Sequence, residues 1–269
     1  MDLQTLYKGI RLQPEMIDRV EAFLKNCDTR TLEPLIEAIC DPRTSAESNQ
    51  KLLEQYAASA PDNIPVLACH LLCAVRIYGE YQKMGIPDSV FYDTMGVFRR
   101  VCHENYGHCG LWQYDRGWWN YRHLSMQLFR IGTLEYEFRD WEEEPAFIVH
   151  IPTDAAFTKE ALDHSFQAAE SFLKQYYPAC SHYPIICSSW LMAPRLRELL
   201  PASSGILRFQ NYFRLMGETP ESDACVRWLF YPHNQKDISS YAADTSLQRK
   251  VKEIMLAGGH LGAGWGRLQ

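Results

Sequence analysis

The spacing of apolar residues changes near Arg130, and this change limits the folds open to the chain. In the first half, apolar residues recur at helical spacing, as in the segment 14–25. In the segment 133–141, apolar and polar residues alternate instead, which is the pattern of a strand with one buried face. The sequence therefore predicts an α+β protein, with an all-helical domain over residues 1–129 packed on a mixed α/β domain over residues 130–269.

Helices are predicted throughout the first half, from the apolar spacing and from residues that cap or stop helices. Gly85 and Pro87, for example, are suited to end the longest and most apolar of them. The predicted helices cover residues 14–25, 31–40, 45–59, 64–84, 88–101 and 118–129.

The second half opens with a predicted hairpin, in which two strands flank a short acidic turn. Thr158 is suited to cap a helix that reaches about Tyr177, and Asp244 or Thr245 is suited to cap a last helix over residues 246–256. The other elements predicted here are strands over residues 133–141, 145–151, 184–191, 207–216 and 225–230, and a short helix over residues 194–200.

The composition excludes some classes of partner. Hydrophobic residues make up 46% of the chain and charged residues 22%, as in ordinary globular proteins. The formal net charge is −6 and no basic stripe is present, so nucleic acid is not expected as a partner. The apolar segment 64–78 contains His70 and Arg76 and is too short to cross a bilayer, so no membrane partner is expected.

The cysteines indicate a reducing compartment. There are 9 of them, an odd number, and most lie within apolar patterns where a thiol behaves as a small hydrophobic group. Residues 1–4 do not have the cationic, then apolar, character of a secretory signal. We therefore expect a cytoplasmic protein, and the sequence leaves its oligomeric state open.

Two clusters of side chains in the first half have more than one interpretation. Cys102-His103 and His108-Cys109 lie close together but match no common zinc framework, so we expect no metal site. The segment 112–121 is crowded with aromatic residues. These residues either line a substrate or acyl-chain pocket or fill the seam between the two halves.

His150 is a candidate general base. It stands at the end of a predicted strand, before Pro152 and the helix that Thr158 begins. Groups at the carboxyl ends of strands border the ligand crevice of α/β sheets, and a helix start offers N–H groups suited to a pyrophosphate. Imidazole accepts protons near neutral pH. The alternative is a histidine with a purely structural role.

Cys187 and Ser188 lie within another short predicted strand. Cys187 is a nucleophile only if a base such as His150 lies beside it, which requires the two strands to be neighbours. The alternative is a buried, unreactive thiol. Either Cys187 or Ser188 is also a candidate proton donor to a departing thiolate.

The start of the last predicted helix has two interpretations as well. Asp244 and Thr245 are suited to capping that helix. Gln248 and Arg249 lie one turn inside it and could face an anion, so these four residues, together with Thr158, are candidate ligands of a cofactor phosphate.

On several of these segments the chain resembles bacterial N-acyltransferases that have a helical N-terminal domain and a GNAT-like C-terminal domain. The resemblance extends over nearly the whole chain in order. It rests on Gly85-Ile86-Pro87, Leu128–Glu137, His150-Ile151-Pro152, Cys187–Leu191, Leu207–Gln210 and Asp244–Arg249.

The resemblance implies acyl transfer from acyl-CoA or a related thioester to a small-molecule amine. GNAT enzymes hold the donor pyrophosphate in a glycine-rich loop, but this chain has Pro152-Thr153-Asp154-Ala155-Ala156 in the corresponding place. This departure leaves two alternatives open. One is a non-catalytic ligand-binding protein with a degenerate GNAT-like fold, and the other is an acyl enzyme with Cys187 as its nucleophile.

Overall fold

The computed structural model describes residues 1–57, 60, 62–231 and 237–269. In this model the chain forms two compact units, Met1–Ile131 and Gly132–Gln269. The division falls two residues after the boundary expected from the sequence.

Over its described residues, the first unit is helical apart from one short strand at its end. Its longer elements are α1 (Leu3–Ile10), α2 (Pro14–Lys25), α3 (Glu33–Cys40), α4 (Ser45–Tyr56), α5 (Ile64–Met84), α6 (Asp88–Met95), α7 (Val97–Cys109), α8 (Gly117–Leu124) and β1 (Leu128–Ile131). The bounds predicted for α2 and α5 are confirmed. Helix α1 was not predicted from the sequence.

Two predictions in this unit are wrong in part. The single helix expected over residues 88–101 is two helices, α6 and α7, which meet at Gly96. The helix expected over residues 118–129 ends at Leu124, and the chain then turns through Met126, whose φ is +54°. The N–H of Arg130 donates to Thr94 Oγ1 at 3.0 Å, which attaches β1 to α6. The third predicted helix extends to residue 59, and residues 58 and 59 lie outside the described residues.

Helix α5 is the core of the first unit. Leu67, Ala68, Leu71 and Ala74 are completely buried, and the helix contacts α1, α2, α3, α4, α6 and α8. Gly85, at φ +69°, ends it in a left-handed cap. With 21 residues the helix is long and apolar enough to cross a membrane, but most of it is buried inside the protein. This burial is typical of a core helix.

A chain of hydrogen bonds crosses this core. Asn120 Nδ2 donates to the Tyr114 hydroxyl at 2.8 Å, and that hydroxyl contacts His70 Nδ1 at 2.8 Å. His70 Nε2 contacts Asn49 Oδ1 at 2.7 Å, and Asn49 Nδ2 donates to the Gly117 carbonyl at 3.1 Å. The network assigns the proton of His70 to Nε2, which donates to Asn49. Complete burial lowers the pKa of His70 to about 3.

We predict that His70 makes stability depend on pH between about pH 3 and 6.5. Its pKa is lower in the folded state than in the unfolded state, so the unfolded chain binds one more proton in this window and stability falls as the pH falls. Replacing His70 with Gln should reduce the slope of unfolding free energy against pH by up to about 1.4 kcal/mol per pH unit, the value for one proton. Denaturant unfolding from pH 4.5 to 7 measures this slope. The same change at exposed His182 is the control, and an unaltered slope in the His70 variant would contradict the assignment.

The second unit is a twisted sheet with helices. Its elements are β2 (Leu134–Trp141), β3 (Glu144–His150), α9 (Lys159–Tyr176), β4 (Ile185–Ser189), α10 (Leu196–Leu199), α11 (Gly205–Gln210), β5 (Phe213–Thr219), α12 (Val226–Leu229), α13 (Ser246–Leu256) and β6 (Ala263–Leu268). The strands of this unit lie in the order β2-β3-β4-β6-β5. β3 and β4 are parallel, with α9 as the crossover, and the neighbouring pairs β2–β3, β4–β6 and β6–β5 are antiparallel.

Several predictions in the second unit are confirmed. The hairpin of β2 and β3 forms, and its register pairs Glu135 with His150. The Thr158 hydroxyl caps α9 by accepting from the N–H of Ala161 at 3.2 Å. Thr245 caps α13, whose predicted bounds are also confirmed.

Other predictions in this unit are wrong. The strand expected over residues 207–216 is in fact α11 followed by β5, because Ser204 caps a short helix and buried Gln210 ties it to the carbonyls of Leu191 and Ala193. The strand expected over residues 225–230 contains the short helix α12 instead. The sequence analysis also missed β6, whose glycine-rich sequence lacks a clear alternation.

The turn between β2 and β3 carries backbone strain. Glu142 and Glu143 have φ values of +51° and +68°, the left-handed conformation of a two-residue type I′ turn. Asn and Gly favour this conformation, whereas a long side chain makes it costly.

We therefore predict that the double variant Glu142→Asn/Glu143→Gly is more stable than the native chain by about 1 kcal/mol. Thermal unfolding measures the gain as a rise in Tm. The variant Glu142→Gln/Glu143→Gln is the matched control, since it removes the same charges and keeps the strain. An equal rise in both variants would assign the effect to charge instead.

Candidate functional site

The candidate site lies where two parallel strands stop pairing. The register of β3 with β4 ends at Val149 and Cys187, whereas β4 goes on pairing with β6 up to Ser189 and Gly264. Beyond Val149 the chain of β3 therefore leaves its neighbour at the carboxyl end of the sheet. Crevices of this kind hold the ligands of α/β proteins.

The sheet has two different faces at this point. On one face, Ser165 of α9 meets the Tyr136 hydroxyl at 3.0 Å, so α9 covers this side, which Val149 and Cys187 share. We call this the α9 face. The opposite face carries Glu135, Glu137, Ile148, His150 and Ser188, and we call it the His150 face.

His150 forms a close pair with a buried carboxylate on this face. Its Nε2 lies 2.7 Å from Glu137 Oε2, and the Glu137 side chain is only 4% exposed, against 23% for His150. The guanidinium of Arg139 lies 4.0 Å from the same carboxylate. An imidazole whose Nε2–H donates to a carboxylate keeps its lone pair on Nδ1, which is the arrangement of a general base.

Of the two interpretations of Cys187, the structure favours the buried, unreactive thiol over a nucleophile paired with His150. The two strands are neighbours, but Cys187 is level with Val149, so its side chain lies on the α9 face and that of His150 on the other. Cys187 is completely buried, and burial raises the pKa of its thiol well above the ordinary value. A buried thiol without a neighbouring base is a poor nucleophile.

Ser188 is the residue of this strand that accompanies His150. It follows Cys187 and so lies on the His150 face, where its side chain is exposed. Its partner in β6 is Trp265. The hydroxyl is therefore near the end of the paired region of β3 and β4.

The N-terminus of α9 is held by several side chains. Thr158 caps it, and the loop before it is fixed by a bond of 2.6 Å from the Ala156 N–H to Thr133 Oγ1. Arg208 of α11, an exposed residue, donates to the carbonyl of Phe157 at 2.7 Å. A guanidinium and a helix N-terminus thus lie together, a combination suited to a phosphate. The sequence analysis missed Arg208, because no local pattern connects it with α9.

The other predicted phosphate ligands lie at the start of α13. Thr245 and Gln248 bond to each other's backbone as a capping box, and Gln248 Nε2 also donates to the Leu229 carbonyl at 2.8 Å. Arg249 donates to the carbonyls of Ala243 and Asp244 at 2.8 and 2.9 Å. These bonds give the segment a structural role, and anion binding by Asp244, Thr245, Gln248 and Arg249 stays a prediction.

The cysteine and histidine cluster at residues 102–109 and the aromatic segment 112–121 make contacts within the first unit. Cys102 is completely buried in the core of the first unit, whereas the exposed Cys109 donates to the Asn105 carbonyl at 3.1 Å. In the ranges that the structure describes, no group of three or more His, Cys, Asp or Glu side chains is arranged to hold a metal. Among the aromatic residues, Tyr114 belongs to the buried hydrogen-bond network of His70. The ring of Trp112 stacks on that of Tyr106, with 4.3 Å between the ring centroids.

These surroundings predict which thiols react. Cys109 is exposed, so a maleimide should modify it in the native protein within minutes, whereas Cys187 should react only after denaturant unfolds the chain. Mass spectrometry of digested samples with and without denaturant identifies the modified residues. Labelling of Cys187 as fast as that of Cys109 in the native protein would show that the α9 face is accessible.

Comparison with known proteins gives the family. A family model described as a GNAT-like C-terminal domain matches residues 128–268, and one described as an N-acyltransferase N-terminal domain matches residues 1–126. A comparison with curated proteins finds no match.

Solved structures of acyltransferases share the fold. A mutant acyltransferase in complex with octanoyl-CoA has a TM-score of 0.78 and 17% identity over 99% of this chain and 87% of its own. An acyltransferase in complex with decanoyl-CoA and teicoplanin has a TM-score of 0.71 and 18% identity over 100% of both chains. An acyltransferase in complex with CoA and 10C-Teicoplanin has the same score, with 19% identity over 100% of both chains.

The two family models together span nearly the whole chain, in the order in which its helical and sheet-containing units occur. The chain therefore belongs to the family of N-acyltransferases that combine an N-acyltransferase N-terminal domain with a GNAT-like C-terminal domain.

Proposed function

We propose that the protein transfers an acyl group from a CoA thioester to the amine of a small molecule. The observation that carries this proposal is the pair of His150 and Glu137 at the point where β3 and β4 stop pairing. An imidazole with a carboxylate partner beside the crevice of a GNAT-like sheet supports the role of His150 as the base. Acyltransferases of the same fold bind octanoyl-CoA, decanoyl-CoA and CoA, which supports the choice of donor.

The donor thioester would lie between the carboxyl ends of β3 and β4. Since the register ends at Val149 and Cys187, the peptide groups that follow are not used in pairing these two strands. A backbone N–H here is suited to polarise the thioester carbonyl and to stabilise the oxyanion that forms on it.

The reaction on this face needs one base and one acid. Nδ1 of His150 takes a proton from the amine as its nitrogen attacks the thioester carbon, and Glu137 stabilises the resulting imidazolium. The new C–N bond forms, the C–S bond breaks, and CoA leaves as a thiolate. Ser188, which is exposed on the same face, is placed to donate a hydrogen bond to the thiolate and to relay a proton from water.

The donor phosphates would bind at the start of α9. The glycine-rich loop of other GNAT enzymes is absent, and Asp154 in the segment that replaces it repels an anion. The N–H groups of Lys159 and Glu160 have no acceptor within the helix, and Arg208 lies beside the carbonyl of Phe157. These groups compensate for the missing glycines.

The acceptor is proposed to be an amine on a small molecule. One acyltransferase of the same fold is bound to teicoplanin together with decanoyl-CoA, which supports a small-molecule acceptor rather than a macromolecule.

A second function, binding of a CoA thioester without turnover, is favoured by one observation. The segment 152–156 contains no glycine, so its backbone approaches a pyrophosphate less closely than a glycine-rich loop does. A thermal-shift experiment separates the two functions when it is combined with an assay. Stabilisation by acyl-CoA without release of CoA, across a panel of primary amines, would favour the binding protein.

We predict that His150→Gln lowers kcat/KM for amine acylation by 10² to 10⁴, the usual contribution of a general base. Glu137→Gln should have a smaller effect, because it leaves the imidazole in place. Cys187→Ala, on the other face of the sheet, is the control and should keep activity within about threefold. Release of CoA thiol at pH 7 and 8 measures these effects. Full activity of His150→Gln would refute the assignment of the base.

A further inference from the structure

Two cysteines of the first unit meet between helices α3 and α5. Cys40 is the last residue of α3, and its thiol lies 3.6 Å from the carbonyl oxygen of Cys73 in α5. The Cys73 thiol lies 3.8 Å from the carbonyl oxygen of Ile36, one turn before Cys40. Each sulfur therefore lies against the backbone that carries the other, although 33 residues separate the two cysteines in the chain.

The two thiols differ in their access to solvent. Cys40 is partly exposed, whereas Cys73 is completely buried. Burial raises the pKa of the Cys73 thiol well above its ordinary value, and a hydrogen bond with the Cys40 side chain raises it further. This hydrogen bond brings the two sulfur atoms into contact.

A surface cavity of about 560 Å³ lies beside the pair. Its walls include Ile36 of α3 and Leu72 and Arg76 of α5, which are close neighbours of Cys40 and Cys73 in their helices. A cavity of this size admits water and small solutes. Small molecules can therefore approach this part of the interface between α3 and α5.

We propose that Cys40 and Cys73 are a site of reversible oxidation, at which a peroxide converts the two thiols to a disulfide. A disulfide needs two Cβ atoms within about 4.5 Å of each other, and thiols already in contact meet this requirement with little movement of their helices. The pair belongs to the first unit, so this proposal does not depend on the acyl transfer proposed for the second.

The oxidation has two steps. The thiolate of Cys40, the more accessible sulfur, attacks a peroxide oxygen, so an S–O bond forms, the O–O bond breaks, and Cys40 becomes a sulfenic acid. With hydrogen peroxide, the departing hydroxide takes up the proton that Cys40 released. The Cys73 sulfur then attacks the Cys40 sulfur, so the S–S bond forms and the S–O bond breaks. The second hydroxide leaves as water with the thiol proton of Cys73.

The balance of this reaction is complete. The two thiols lose two electrons and two protons, and hydrogen peroxide is reduced to two molecules of water. An added dithiol reverses the reaction by thiol–disulfide exchange. The disulfide joins the end of α3 to the core helix α5 and closes a loop in the unfolded chain, so we expect oxidation to raise Tm by about 5 to 10 °C.

The test treats the native protein with hydrogen peroxide at neutral pH and then blocks the remaining thiols with N-ethylmaleimide in denaturant. Mass spectrometry of a non-reduced digest should show the peptides of Cys40 and Cys73 joined, two hydrogens lighter than the separate peptides. In Cys73→Ala, the sulfenic acid of Cys40 should persist and react with dimedone. Cys180→Ala, which removes another partly exposed thiol, is the matched control and should leave the cross-link unaltered.

Three outcomes would overturn the proposal. The first is a Cys40 that reaches the sulfinic acid in the native protein while Cys73 stays reduced. The second is a disulfide that joins Cys40 to any other cysteine. The third is a Cys40 that stays reduced at a peroxide concentration that oxidises the exposed Cys109. All three are measured on the native chain, so they remain decisive even where a variant does not fold. Thermal unfolding before and after addition of dithiothreitol measures the change in Tm and its reversal.

Discussion

The pairing of β3 with β4 is the constraint on which the candidate site depends. These are the parallel neighbours of the second unit, and α9 is the crossover between them. Their register ends at Val149 and Cys187, and the residue that follows each of them has its side chain on the opposite face of the sheet. Val149 and Cys187 stay in the packed interior under α9, and the next residues, His150 and Ser188, lie on the other face at the crevice.

The imidazole of His150 and the hydroxyl of Ser188 therefore lie on the face of the sheet that α9 does not cover. A carboxylate that is 4% exposed holds the imidazole in one orientation, and the antiparallel register of β2 with β3 puts Glu135 directly opposite the same histidine. Ile148, two residues earlier on the same strand, belongs to a buried apolar cluster with Ala146 and Ile186.

In the first unit, polar contacts fix the rotation and register of a long apolar helix. Helix α5 is buried along most of its length, and apolar packing alone does not fix its rotation or register. The hydrogen-bond chain through His70, Tyr114 and Asn49 adds a geometric requirement, because each buried polar atom needs its partner. It ties α5 to α4 and to the segment that leads into α8.

Much of the local structure could be predicted from the sequence. The bounds of α2, α5 and α13, the cap at Thr158 and the hairpin of β2 and β3 follow from apolar spacing and from residues with one preferred place in a helix or turn. Short elements were harder to predict. The segment 207–216 mixes apolar and polar residues without helical spacing, and the cap by Ser204 and the bonds of Gln210 to distant carbonyls make its first part a helix.

Some residues of the candidate site were named from the sequence, and their roles stay predictions. His150 was identified from its place at a strand end, but its partner Glu137 lies 13 residues earlier and is brought to it by the hairpin register. Arg208 left no local signal, because it comes from a helix 51 residues away from the carbonyl of Phe157 that it contacts. The cytoplasmic location and the phosphate ligands on α13 stay predictions.

By itself, the sequence determined the class of fold, the division into a helical and a mixed part, and the candidate histidine. These properties depend on periodicity and on residues close together in the chain. Only the tertiary structure decided that Cys187 and His150 lie on opposite faces and that Glu137 and Ser188 accompany the histidine. The reason is that a shift of one residue in a strand moves a side chain to the other face, and strand register is set by long-range pairing rather than by local sequence.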